Sequence, residues 1–164
     1  MKIHFTLFFA LFSFICLNTN AQSFLTDNEI ELGVRVGTNL DPYSMNYSAT
    51  ARKHFDFGSA EFLIDPHNLM FTGLYTIHGN DLIKDNFAGD TSGFTYFFGF
   101  GGHVGVYTGG SIVGVDGIAG VEYKIPDLPL KASVDIKPTL DFVTAEGLRY
   151  FNVLQGGATI RYVF

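Results

Sequence analysis

The stretch Val113–Ile125, which reads VGVDGIAGVEYKI, decides the fold because its residues alternate between two kinds. One set is apolar or small and comprises Val113, Val115, Gly117, Ala119, Val121, Tyr123 and Ile125. The other carries the charges and comprises Gly114, Asp116, Ile118, Gly120, Glu122 and Lys124. Successive side chains of a β-strand point to opposite sides of the sheet. The stretch therefore predicts a strand with one apolar and one polar wall.

The same period of two recurs along the chain and predicts seven more strands. It is clear at 30–38, 130–137 and 156–164, and weaker at 46–55, 59–65, 69–78 and 94–107. Proline, glycine and aspartate clusters separate these stretches, as expected of turns. The sequence thus predicts an all-β fold: a closed antiparallel up-and-down barrel of eight strands, in which 30–38 pairs with 156–164. Strands of about 10 residues suit a tilted crossing of a bilayer.

Composition narrows the class of protein. The chain has 164 residues and a net charge of −6, and it contains no cluster of Lys and Arg, so nucleic acid is not an expected partner. Charged residues make up 16% of the chain, whereas a soluble domain averages about 25%. With 19 glycines and 18 phenylalanines, this composition is typical of a transmembrane β-barrel that faces lipid.

The N-terminal residues are typical of a secretory signal peptide. Lys2 precedes an apolar run from Phe5 to Leu17, and a short polar stretch leads to Ala21 and Gln22. We expect residues 1–21 to be the signal, cleaved near Ala21-Gln22, and residues 22–164 to form the barrel. A retained membrane anchor is the alternative, but the run is shorter than the about 20 residues that a spanning helix needs. Cys16, the only cysteine, lies in this run and lacks a preceding small residue of the lipoprotein type.

Alternation alone does not say which wall faces inward. A soluble ligand-binding barrel of the lipocalin type also alternates, with its apolar wall inside, whereas a membrane barrel has the reverse arrangement. The polar wall here is rich in glycine, which suits the narrow interior of a small barrel. These glycines are Gly33, Gly37, Gly99, Gly101, Gly105, Gly114 and Gly120. We therefore expect the polar wall to line the lumen and Val115, Val121, Val134, Ile160 and Tyr162 to face lipid.

The last strand carries a resemblance to a known group of proteins. Ile160, Tyr162 and Phe164 share one face, and this ending resembles the C-terminal strand that the barrel assembly machinery reads in outer-membrane proteins. A glycine usual in that signal would fall at Thr159, whereas the nearest here is Gly157. The whole layout is similar to the small OmpA/OmpX-like barrels of Gram-negative bacteria. This resemblance implies the cell outer membrane as the location, with membrane lipid, lipopolysaccharide and the assembly machinery as partners; the oligomeric state stays open.

One feature departs from that group. The longest polar connection, 79–92, is the fourth in order, and it would face the periplasm if both chain ends do. Outer-membrane barrels have short periplasmic turns and longer external loops. Either the strand count is wrong by one or this barrel has an unusually long inner connection.

Charged residues on the polar wall are expected to form an ion-pair network, because an unpaired buried charge is costly. The expected members are Arg35, Arg52, Glu61, Asp116, Glu122, Lys124, Asp135, Lys137 and Arg161. This network favours a structural or interaction role without an open channel, since an eight-stranded barrel is filled by its own side chains.

An enzyme that modifies lipid A, as a deacylase or an acyltransferase, is the alternative function. Some outer-membrane barrels of this size act in this way, and such chemistry needs a serine, a histidine and an acid in contact. The catalytic candidates are His54 with Glu61 and His103 with Asp116, each pair on neighbouring predicted strands. No metal site or cofactor is expected, since the histidines lack close ligand spacing and the glycines precede no helix.

Overall fold

The computed structural model describes residues 29–38, 45–67, 69–79, 93–107, 110–143 and 149–164. The predicted signal peptide with its cleavage site, and residues 80–92 of the long connection, lie outside these residues. The strands are β1 (Ile30–Thr38), β2 (Met45–Phe55), β3 (Gly58–Asp65), β4 (Met70–Gly79), β5 (Phe94–Tyr107), β6 (Gly110–Lys124), β7 (Leu130–Val143) and β8 (Arg149–Val163). No helix within the described residues is long and apolar enough to cross a membrane.

The eight strands form a closed antiparallel barrel in chain order, which confirms the predicted fold class at that level. Strand β1 closes the sheet against β8, with Val34 opposite Ile160 and Glu31 opposite Val163. The amide of Phe164 then donates a hydrogen bond to the carbonyl of Ile30 at 2.9 Å. Because the strands number eight, the connection from β4 to β5 keeps its fourth place.

The two ends of the barrel differ in what they carry. We call the end with Glu29 and Phe164 the terminal mouth; strands β2, β4 and β6 end there. We call the other end the distal mouth; strands β1, β3, β5 and β7 end there. The long fourth connection therefore joins two strand ends at the terminal mouth.

Strands β7 and β8 are longer than the predicted stretches 130–137 and 156–164. Pro138 directly follows the first of these, and proline, which has no amide to donate, is confined inside a sheet to edges and bulges. In the structure the strand continues, and a register shift absorbs the proline: Lys137 faces Gln155, but Thr139 faces Asn152. This shift interrupts the period of two in β8, so the sequence pattern did not reveal the first half of that strand.

The walls are arranged as predicted: apolar side chains point outward and polar ones inward. Val115, Val134 and Ile160 are 52%, 62% and 57% exposed, and Val121 is exposed as well. Tyr162, also predicted outward, is half-buried because it packs on Phe164, with ring centroids 4.7 Å apart. Inside, a small apolar cluster interrupts the polar wall; it consists of Leu63, Leu74, Phe97 and Ile118.

A disulfide can test the closure. Val34→Cys with Ile160→Cys places two outward side chains directly opposite each other on β1 and β8. Residues 22–164 contain no cysteine, so this would be the one disulfide possible in that segment. We expect mild oxidation to link the pair and to produce a faster band of the denatured, non-reduced protein on gels. Val34→Cys with Val134→Cys is the control and should stay unlinked, because β8 lies between these strands; a link there instead would contradict the register.

Candidate functional site

The centre of the lumen holds two arginines and two glutamates. Arg52 lies on β2 and Arg161 on β8, and both guanidinium groups reach Glu61 on β3 and Glu122 on β6. Arg52 donates to Glu122 at 2.7 Å and to Glu61 at 2.8 Å. Arg161 reaches Glu122 at 3.3 Å and also donates to Glu61. Each carboxylate thus bridges two guanidinium groups whose strands, β2 and β8, flank β1.

Glu31 and Lys131 complete this central cluster, and the sequence analysis did not include them. The Lys131 ammonium donates to Glu31 at 2.6 Å, while Arg52 lies 3.5 Å from the other oxygen of Glu31. The cluster now has three cations, Arg52, Arg161 and Lys131, and three carboxylates. Both residues do lie on the predicted polar wall, so the alternation indicated their direction. Their pairing depends on which strands meet across the lumen, which one strand's pattern cannot show.

The central cluster is almost completely shielded from solvent. Arg52, Arg161 and Glu61 are each 1% exposed. Thr50 on β2 donates to Glu61, and Ser133 on β7 accepts from Arg161 at 2.9 Å. Such burial is tolerable only because opposite charges and hydrogen bonds replace the lost water.

A second pair lies nearer the distal mouth, where Arg35 on β1 binds Asp135 on β7. Two glycines make room for it. Gly37 and Gly157 face each other across β1 and β8, and a Cβ on either would collide with the Arg35 guanidinium. The glycine-rich polar wall predicted from the sequence therefore serves, at this point, to seat a bulky side chain inside a narrow barrel.

The third group lies at the distal end of the lumen and contains the predicted pair His103 and Asp116. The two side chains are joined by a hydrogen bond of 2.9 Å between Nδ1 and a carboxylate oxygen. Asp141 lies 3.2 Å from the other ring nitrogen, and Lys137 donates to Asp116 at 3.1 Å. Asp141 was missed because the sequence pattern placed it in a connection rather than in β7.

The terminal mouth holds a group of histidines and acids. His54 contacts Glu31 at 2.7 Å, and its ring lies 5.1 Å from that of His78. Glu29, Glu31 and His54 bring possible metal ligands within 4.8 Å of one another. Lys131, however, contacts both glutamates, at 2.6 and 3.2 Å, so an ammonium of the chain is already paired with both carboxylates.

The structure brings together one of the two predicted catalytic pairs. His103 and Asp116 do meet, whereas His54 bonds Glu31 and the Glu61 carboxylate belongs to the central cluster. Elsewhere among the described residues a serine does contact a histidine, since Ser59 lies 2.9 Å from His78. Ser59 is fully buried and also bonds Thr76, so a substrate carbonyl has no path to its oxygen.

Lys124 does not belong to the lumen network that the sequence analysis expected. It is the last residue of β6 and is exposed, next to the turn at the terminal mouth. Its place in the alternation points it to the polar side, but the strand ends there and water replaces the partners that a buried ammonium would need. The remaining expected members are all buried in the lumen.

The C-terminal residues Ile160 and Phe164 are exposed on the outer wall, at 57% and 38%. They flank Tyr162 on that face, so the three residues of the predicted assembly signal present one apolar strip.

No protein-family model matches this chain, and no curated protein resembles it significantly.

Stability measurements can test the central cluster. Arg161→Leu leaves Glu61 and Glu122 with one guanidinium in place of two, inside a poorly solvated lumen. Removing one partner of a buried pair costs about 3–5 kcal/mol, and we expect a loss of that size in urea unfolding of the folded barrel, followed by circular dichroism. Lys124→Leu is the matched control and should change the free energy of unfolding little. Equal, small losses for both variants would show that the cluster does not stabilise the barrel.

Proposed function

We propose that the chain is an integral outer-membrane β-barrel protein with a structural or interaction role and no open channel. The observation that carries this proposal is the inversion of its walls. In the described residues the buried hydrophobic side chains are four, Leu63, Leu74, Phe97 and Ile118, while the other buried side chains are charged or polar. The outer wall, by contrast, exposes many large hydrophobic side chains. In water such a wall would favour aggregation, whereas in a bilayer it is the required surface.

Exposed aromatic residues support the same proposal; they lie at both ends of the outer wall and also between them, as at Phe62 and Phe100. Phe55 and Phe57 are exposed at the terminal mouth, at 47% and 84%. Tyr47, on the half of β2 toward the distal mouth, is 59% exposed. Aromatic residues concentrate at both edges of the apolar band in membrane barrels, because their rings suit the headgroup region.

A role without a channel follows from the packing of the lumen. Eight strands enclose a space that side chains alone can fill. Here the central cluster occupies one part and the apolar cluster of Leu63, Leu74, Phe97 and Ile118 another, with Arg52 lying 5.2 Å above the ring of Phe97. An interior of this kind supports a function at the surfaces of the barrel rather than through it.

The remaining parts of the proposal rest on the sequence. Residues 1–21 are proposed as the signal peptide, cleaved near Ala21-Gln22, and Ile160, Tyr162 and Phe164 as the signal for the barrel assembly machinery. The proposed location is the outer membrane of a Gram-negative bacterium, with its phospholipid and lipopolysaccharide as surroundings. A soluble periplasmic ligand-binding barrel is the less favoured alternative, since it needs its apolar wall inside.

A single charge on the outer wall tests the membrane proposal. Val134 is 62% exposed near the middle of β7. Arginine at the bilayer midplane destabilises a barrel by about 2–4 kcal/mol, so Val134→Arg should lower the free energy of unfolding from phospholipid vesicles by about that amount. Val134→Leu is the control and should cost little. A barrel that tolerates Val134→Arg without loss would argue against a lipid-facing wall.

Lipid A modification is the second candidate, favoured by the contact of His103 with Asp116. Both ring nitrogens of His103 lie against carboxylates, those of Asp116 and Asp141, and this speaks against it. We expect mass spectra of lipid A to be identical in cells with and without the protein. A mass change that disappears in His103→Ala, but persists in the exposed control His67→Ala, would overturn the non-enzymatic proposal.

A further inference from the structure

Lys53 interrupts the outer wall of the barrel. Among the described side chains of the eight strands, it is the charged one that the alternation places outward, between Ala51 and Phe55 on β2. It lies opposite Ile30, the first residue of β1, and therefore close to the terminal mouth. A charge at this level is costly unless its ammonium reaches water or an anion.

The ammonium of Lys53 is directed toward the terminal mouth. Its Nζ lies over the ring of Phe55, 5.5 Å from the centroid, and Phe55 is the last residue of β2. The aliphatic stem can then cover apolar wall while the charge leaves the apolar band, which is the behaviour of lysines at membrane interfaces. The ring of Phe55 adds a cation–π contact that holds the ammonium there.

The adjoining turn presents a second, aromatic element. Phe57 is 84% exposed, and its backbone carbonyl accepts a hydrogen bond from the Tyr75 hydroxyl at 3.0 Å. Tyr75 thus fixes the turn from the neighbouring strand and presents Phe57 outward beside Phe55. The patch formed by Lys53, Phe55, Phe57 and Tyr75 joins one cation to three aromatic rings at the edge of the apolar wall.

We propose that this patch binds the phosphate group of a phospholipid in the leaflet at the terminal mouth and sets the depth of the barrel there. The inference rests on the proposed membrane function. The chemistry fits because the ammonium complements the phosphodiester anion, and the rings fill the zone between acyl chains and headgroups. The barrel then cannot shift toward the distal side without drawing Lys53 into hydrocarbon.

A fluorescence experiment tests this inference, since the chain contains no tryptophan. Phe57→Trp introduces a unique probe in the patch. In phosphatidylcholine–phosphatidylglycerol vesicles, lipids labelled with a quencher near the headgroup should quench it more than lipids labelled at the acyl end. Adding Lys53→Leu should shift its emission to shorter wavelength and move maximal quenching to deeper labels, whereas Lys53→Arg should restore the parent profile. Lys124→Leu, an exposed lysine outside the patch, is the matched control and should change neither.

Solid-state NMR can detect the contact between the Lys53 ammonium and the lipid phosphate directly. With ¹⁵N-labelled lysine, the phosphorus of the vesicle lipid should dephase an ammonium signal that Lys53→Gln removes. The same protein in maltoside micelles with inorganic phosphate should lack this dephasing, and dephasing there would identify a free-phosphate site and overturn the lipid assignment. A barrel that inserts but whose quenching profile ignores Lys53→Leu would refute the inference alone. Failure of every lipid label to quench the probe would refute the membrane proposal as well.

Discussion

The barrel depends on two guanidinium groups that share carboxylates across its lumen. Arg52 and Arg161 stand on β2 and β8, and the acids that they bind, Glu31, Glu61 and Glu122, stand on β1, β3 and β6. The sheet's backbone hydrogen bonds join each strand only to its neighbours, whereas these side chains tie strands on opposite sides. Because every one of these charges is buried, none can lose its partners without an energetic penalty. The strand register is therefore constrained from inside as well as by the ladder.

This constraint explains the uneven distribution of residues along the polar wall. Where a large side chain lies in the lumen, the inner-wall residues beside it must be small, as Gly37 and Gly157 are next to Arg35. Where no charge is available, apolar side chains complete the packing, as Phe97 does beneath Arg52. Charged, small and apolar positions on the inner wall are thus parts of one packing arrangement. The outer wall has no such requirement, and apart from Lys53 its described side chains vary mainly in size and in aromatic content.

The period of two predicted the strands and their walls because it reports a local property, the direction of each side chain. It predicted Arg52, Glu61 and Arg161 as lumen residues for the same reason. It did not predict that Glu31 and Lys131 join them, because that depends on the curvature of the closed sheet. Strand β7 shows the other limit: the prediction ended at Lys137, whereas the register shift at Pro138 accompanies the continuation of both strands. The prediction for Lys124 failed in the opposite direction. The alternation assigned this residue to the lumen because it cannot show that a strand has reached the barrel's edge.

A filled and charge-balanced lumen also restricts where a function can lie. The acids of the central cluster are bound by arginine and lysine, so neither proton transfer nor metal binding is open to them without breaking pairs that hold the strands. The side chains that are exposed or half-buried, and can therefore contact a partner, lie at the two mouths and on the outer wall. At the terminal mouth these include the exposed Phe57 and Lys124, and at the distal end the half-buried Asp141. Under the proposed function, the outer wall and the two mouths are therefore the surfaces available to a membrane or a partner, and the lumen is the part that no partner touches.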